Sequence, residues 1–168
     1  MKKSSIVAGG ILIALLGLAA ARQASAASAD EAAIKALEER LAKAVNAKDL
    51  DGVMACYISD ESLFVFDLIP PRQYVGAKAY RENWKGFLTG PGTIRVEISD
   101  LSVTVAGDTA YAHLIHHFNG IVNDKPLDLT DRVTDIYRKL NGQWVIVQEH
   151  ISIPVDLETG RGDLTSKP

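Results

Sequence analysis

The apolar period of this chain changes once, from helical to alternating, at Gly90-Pro91-Gly92. Before that point Asp30 reads as the N-cap of a helix. In it Ile34, Leu37, Leu41 and Val45 form one stripe, while Glu31, Lys35, Glu38, Glu39 and Lys43 face away. Asp49 starts a second, short helix with Leu50, Val53, Met54 and Tyr57 on its inner side. Ser62 to Asp67 reads as a brief strand, Pro70 and Pro71 impose an irregular turn, and Gly76 opens a third helix that turns Tyr80, Trp84, Phe87 and Leu88 inward. Beyond the change every apolar run reads as strand: residues 94–105, 109–119, 127–140 and 143–154, divided at Gly107-Asp108, at 120–126 and at Asn141-Gly142. Asn-Gly tolerates the positive φ that a two-residue hairpin turn needs, so the last two strands are predicted to form a tight hairpin. The fold class that follows is α+β: a curved antiparallel sheet shaped into a cone, covered on one face by three N-terminal helices. A curled sheet roofed in this way leaves a closed-ended conical cavity.

The start of the chain carries a different signal. Lys2 and Lys3 precede an apolar run over residues 6–21, then the small residues Ala24-Ser25-Ala26. This is the pattern of a cleavable export signal over residues 1–26, with cleavage after Ala26 and a periplasmic or secreted product. The alternative, a retained transmembrane helix, asks for about 20 apolar residues, and Arg22 and Gln23 interrupt the run before that length. No stable membrane anchor is therefore expected after cleavage. Residues 27–155 then form one domain, long enough to bury a core without disulfides, and residues 156–168 a loose polar tail. The single cysteine, Cys56, lies in an apolar helical setting that suits a structural role. A formal net charge of −3, with no stripe of Lys and Arg, argues against nucleic acid as a partner.

Three stretches resemble one family. They are residues 44–51, where one helix ends and the next begins in an acidic cap; Phe64-Val65-Phe66-Asp67, followed by prolines and the helix of Trp84; and residues 132–138 with 141–152, the C-terminal hairpin. Together they are similar to the nuclear transport factor 2-like superfamily, in its branch that holds SnoaL-like polyketide cyclases, ketosteroid isomerase and the hub domain of calcium/calmodulin-dependent kinase. The resemblance implies the α+β cone. It also implies that Asp67 holds the general-base position and that Asp135 points into the cone as a hydrogen-bond donor to a developing enolate. The family tyrosine on the first helix falls at Leu41, which puts steroid isomerisation in question. Strand alternation then carries the assignment outward. With Asp135 inside, Val133 and Tyr137 are inside as well. The resemblance places Val145, Val147, Glu149 and Ile151 inside on the last strand and Trp144, Ile146, His150 and Ser152 outside. On the long strand before them, Ala112, Leu114, His116 and Phe118 are inside and His113 and His117 outside.

The candidate catalytic residues are thus Asp67, Asp135 and His116, and the candidate ligand-binding residues Trp84, Tyr137, Glu149, Phe66, Phe118 and Ile151. A carboxylate among apolar groups has its pKa raised and becomes a better proton acceptor from a carbon acid; the plainer alternative is that Asp67 caps the turn before Pro70. His116 is either a proton relay or a core histidine paired with a buried carboxylate. Alternation separates His116 from His113 and His117, so no metal is expected, the remaining option being His113 and His117 with His150 on the outer face. No cofactor is expected. A homodimer through the outer sheet face is implied by the resemblance, and the expected ligand is small and apolar. Three classes of function stay open: a proton-transfer isomerase, cyclase or lyase acting on an apolar carbonyl compound; a non-catalytic ligand-binding domain; and an assembly domain. No phosphate loop, dinucleotide fingerprint, G-x-S-x-G or paired-cysteine site points elsewhere.

Overall fold

The computed structural model describes residues 7–165, with side chains from 26 onward; the export signal expected over residues 1–26 falls largely outside those described side chains. The elements run α1 (Val7–Asn46), α2 (Leu50–Met54), β1 (Phe64–Phe66), β2 (Tyr74–Val75), α3 (Ala77–Leu88), β3 (Gly92–Ala106), β4 (Thr109–Val122), β5 (Lys125–Leu140) and β6 (Gln143–Ser152). The six strands form one sheet in the order β2-β1-β6-β5-β4-β3, antiparallel except where β1 runs parallel to β6. The α+β cone expected from the change of period is what the chain forms. No helix among the described residues is long and apolar enough to cross a membrane.

α1 lays Ile34, Leu37, Leu41 and Val45 into the cone, all buried; closing each such side chain off from water contributes on the order of 2 kcal/mol. Two expectations for this helix are corrected. Asp30 caps nothing, because α1 runs straight through it. Its carboxylate instead accepts from Lys139 Nζ at 2.6 Å and Trp144 Nε1 at 3.0 Å, fastening the helix to the β5–β6 hairpin. Glu38, expected to face solvent, is fully buried one residue beyond Leu37. A stripe wide enough to cover a curved sheet takes in more than the 3–4 spaced apolar positions.

Curvature comes from two irregularities. Between Ser99 and Ser102 β3 carries an extra residue against β4, with Asp100 at φ 53°. On β6, Gln148 pairs with Ile136 and Ile146 with Tyr137, so Val147 is bulged out. A bulge resets the alternation of everything beyond it. Glu149 therefore faces the interior as expected, whereas Trp144 and Ile146, expected outside, are buried. The helical layer is tied to the sheet at its free margin: Asn46 Oδ1 accepts from Val96 N at 2.7 Å and its Nδ2 donates to Val96 O at 3.2 Å. Lys48 Nζ donates to the carbonyls of Gly90 and Gly92, at 2.9 and 2.8 Å.

The stretch read as a break over 120–126 is strand with a two-residue turn. Val122 pairs with Lys125 around Asn123 and Asp124, whose φ values of 51° and 62° are those of a primed hairpin turn. Gly120 stays in the ladder at φ 143°, where a Cβ would lie 2.1 Å from the Thr93 carbonyl oxygen, so only glycine fits. Beyond β6 the chain folds back on itself. Asp163 N donates to the Pro154 carbonyl, and Thr130 N donates to the Leu164 carbonyl at 2.7 Å, on the side of β5 that β6 has left.

Candidate functional site

At the end of the cone where β6 stops, α3 and the segment after β1 enclose a cavity of about 140 Å³. One face of α3 supplies Tyr80, Asn83, Trp84 and Phe87, three to four residues apart and hence stacked on one side of the helix. The chain leaving β1 adds Asp67, Leu68 and Ile69, and the sheet closes the floor with Phe118, Leu127, Leu129, Asp131 and Ile151. Four aromatic rings follow one another along the wall edge to face, Tyr80–Trp84, Trp84–Phe87 and Phe87–Phe118, with centroids about 6 Å apart. A space of roughly this volume holds one benzene-sized ring.

Asp67 is held on both oxygens. Leu68 N donates to Oδ1 at 2.6 Å and Asn83 Nδ2 to Oδ2 at 2.7 Å, and Asn83 is itself held by the Tyr74 hydroxyl at 2.9 Å. Burial pushes the Asp67 pKa up, against the pull of those two donors and of the Ile69 backbone amide. Asp67 braces the turn through Leu68 and also faces the cavity. Two further wall residues carry polar atoms shut off from water without a hydrogen-bond partner, Trp84 Nε1 and Asp131 Oδ1. Asp131 Oδ1 lies 3.5 Å from His116 Nδ1, an ion-pair distance too long for a good hydrogen bond. Burial works against a charge on His116, but Asp131, with Glu149 and Glu38 further off, outweighs it and raises the pKa of the imidazole.

Beneath the cavity floor lies a sealed cluster of acids and phenols. Glu149 accepts from Tyr57 Oη at 2.9 Å and from Tyr80 Oη at 2.5 Å. Tyr137 Oη donates to Glu38 Oε1 at 2.7 Å and stands 3.4 Å from Asp135 Oδ2. Burial raises all three carboxyl groups: Glu149 to about 7, Glu38 upward, and Asp135 well above the carboxylate range because Glu149 and Glu38 add their repulsion. A tyrosine has one proton to give, and it goes to Glu38 at the shorter distance. The longer contact suits a neutral Asp135 donating back to the Tyr137 oxygen. Tyr80 joins the layers, its ring in the cavity wall and its hydroxyl on Glu149.

Of the residues singled out from the sequence, Asp67, Trp84, Phe118 and Ile151 line the cavity. Asp135, His116, Glu149 and Tyr137 are buried behind it, so the expected trio of Asp67, Asp135 and His116 does not share one open space. Phe66 is a correction. It pairs with His150 on the outer face, ring centroids 5.3 Å apart, because β1 lies parallel beside β6 and only Val65 of its three residues turns inward. Asn83, Asp131 and Glu38 were missed. Alternation from Asp135 through Val133 points to Asp131 directly, whereas nothing in the sequence marks Asn83. Leu41 is buried without a phenol; the phenols come instead from Tyr57, Tyr80 and Tyr137. Among the described residues no group of three or more His, Cys, Asp or Glu is arranged to hold a metal ion.

The model of the SnoaL-like domain matches residues 34–156. The chain belongs to the SnoaL-like family. Among curated proteins no match is found. Among solved structures, an NTF2-like protein of unknown function from Pseudomonas putida KT2440 is 34% identical, with a TM-score of 0.75 over 84% of this chain and 98% of that one. A candidate scytalone dehydratase from Novosphingobium aromaticivorans DSM 12444 is 16% identical, with a TM-score of 0.67 over 83% and 93%. A candidate calcium/calmodulin-dependent protein kinase II association domain from Xanthomonas campestris is 21% identical, with a TM-score of 0.61 over 71% and 84%. The last two share the fold with this SnoaL-like chain, and a fold of this kind carries many activities.

Proposed function

We propose that this SnoaL-like protein holds a single-ring carbonyl compound in the α3 cavity and that Asp67 removes a proton from the carbon beside the carbonyl. The carbon–hydrogen bond breaks, its electron pair moves to make the enolate, and the proton passes to a carboxylate oxygen of Asp67 for return to the same or another carbon. The observation that carries this reading is the setting of Asp67: on the cavity wall, raised by burial, and aimed by Leu68 N and Asn83. Fold relatives named as candidate dehydratases and as a candidate aromatic ring hydroxylase add support for small-molecule chemistry.

The test is deuterium exchange beside the carbonyl of one-ring ketones in heavy water, followed by NMR. Wild-type protein should catalyse exchange and Asp67→Asn should lose about a hundredfold or more. Equal exchange by both proteins would remove Asp67 from the mechanism.

A second reading, binding without turnover, draws on the position of Asp135 and His116 behind the wall, which leaves a developing enolate without the donor expected for it. Ligand binding with no exchange in the wild type would favour it. Export after cleavage at Ala26 and pairing of two copies through the outer sheet face belong to the same proposal. The outer face carries Tyr111 and Ile121, each about half exposed, and sedimentation reads the pairing directly.

A further inference from the structure

The charge and the walls of the cavity restrict its ligand beyond the proposed reaction. None of the twelve lining residues is basic, and two are aspartates. Asp131 is almost wholly buried, and its Oδ1, which has no hydrogen-bond partner, lies 3.5 Å from His116 Nδ1. The donors to Asp67 are neutral, the backbone amides of Leu68 and Ile69 and the Asn83 side chain, and it has no cation within ion-pair distance among the described residues. The run of four rings through Trp84 and Phe87 lines the same cavity. A half-buried carboxylate without a counter-ion, in a small cavity that aromatic rings also line, is complementary to one kind of group. An organic ammonium is drawn to the carboxylate by charge and to the ring faces by their quadrupoles. A carboxylate ligand would instead add a third acidic group to a cavity whose lining residues offer it no basic partner.

We infer that the cavity takes a single-ring compound bearing a protonated amine, with the ammonium placed between Asp67 and the Trp84 ring. The inference rests on the cavity being the ligand site, as proposed above, and is independent of whether proton transfer occurs there. It also assigns Trp84 a recognition role through its face, apart from any use of its indole N–H.

Three ligands of matched size and different charge test it by calorimetry on the wild-type protein: benzylamine, benzyl alcohol and benzoate. Benzylammonium should bind about tenfold more tightly than benzyl alcohol, and benzoate should bind weakest. Asp67→Asn should bring benzylammonium down to the level of benzyl alcohol while changing the alcohol by no more than about twofold. Trp84→Leu should weaken benzylammonium about fivefold. Equal affinity for the three, a preference for the alcohol or for benzoate, or no binding of any of them overturns the inference. The wild-type ranking alone decides, should a variant fail to fold. The ranking kept with no deuterium exchange leaves the ammonium site standing and removes the reaction. Exchange kept with the ranking lost does the reverse.

Discussion

Asp135 and Glu149 stand directly opposite one another across β5 and β6, both essentially inaccessible to solvent. Two carboxylates so placed do not ionise together, and each proton retained is a link between pH and stability. A carboxyl group raised in the folded state binds its proton more tightly than in the unfolded chain. Its contribution is fully present below the unfolded pKa and is lost as pH rises through the folded one. For Glu149 that window runs from its ordinary value of 4.5 up to about 7. Asp135, Glu38 and the raised His116 act with the same sign. Stability to urea should therefore decline by a few kcal/mol between about pH 5 and pH 8, and Glu149→Gln should flatten the profile. A stability that rises across this range would refute the arrangement.

Tyr137→Phe tests the cluster from its other side. The change leaves Glu38 Oε1, 2.7 Å from the lost hydroxyl, without a donor in a sealed interior. Loss of about 1–3 kcal/mol is expected, read as a shift of the urea midpoint at unchanged slope. The far-ultraviolet circular dichroism should be unaltered.

Asp30→Ala separates the start of the packed part of α1 from the hairpin. The carboxylate holds Lys139 and Trp144 at once, and Lys139 Nζ also lies 5.7 Å from the centre of the Trp144 ring. Because Asp30 and Lys139 are partly exposed, the expected cost is about 1–2 kcal/mol. The tryptophan emission should shift with it. A protein as stable as the wild type would show that the helix needs no such fastening.

Asp67→Asn should part stability from activity. Burial disfavours the charge on Asp67, so a neutral amide relieves a penalty while removing the proton acceptor. The melting temperature should stay level or rise as exchange falls. A marked drop in melting temperature would mean that Asp67 is chiefly a brace for the turn at Leu68.

The helices, the long strands and the Asn141-Gly142 hairpin were legible because each rests on local period or on one turn with a strict φ requirement. The Asn123-Asp124 turn was not, since Gly120 and Pro126 both read as breaks. The Pro126 part of β5 tolerates proline because β6 ends opposite Arg132 and leaves one side without a strand. The resemblance placed Asp135 inside and alternation placed Val133 and Tyr137 with it, all three buried, whereas Trp144 and Ile146 were misplaced because the single extra residue Val147 reverses the faces. For the site, sequence located Asp67 and Trp84. It did not reveal that Asp135 and Glu149 lie behind the wall, because depth within a cone depends on how sharply two bulges bend the sheet.

The bidentate grip of Asn46 on Val96 has a bearing on self-association. β3 is the long marginal strand, and the N–H and carbonyl of Val96, in its first half, are already engaged; the opposite margin is the two-residue β2. An incoming strand would have to evict an amide that satisfies both of its own hydrogen-bonding ends, so lateral zippering into larger sheets is discouraged. Copies of this chain that meet are thereby steered toward broadside contact.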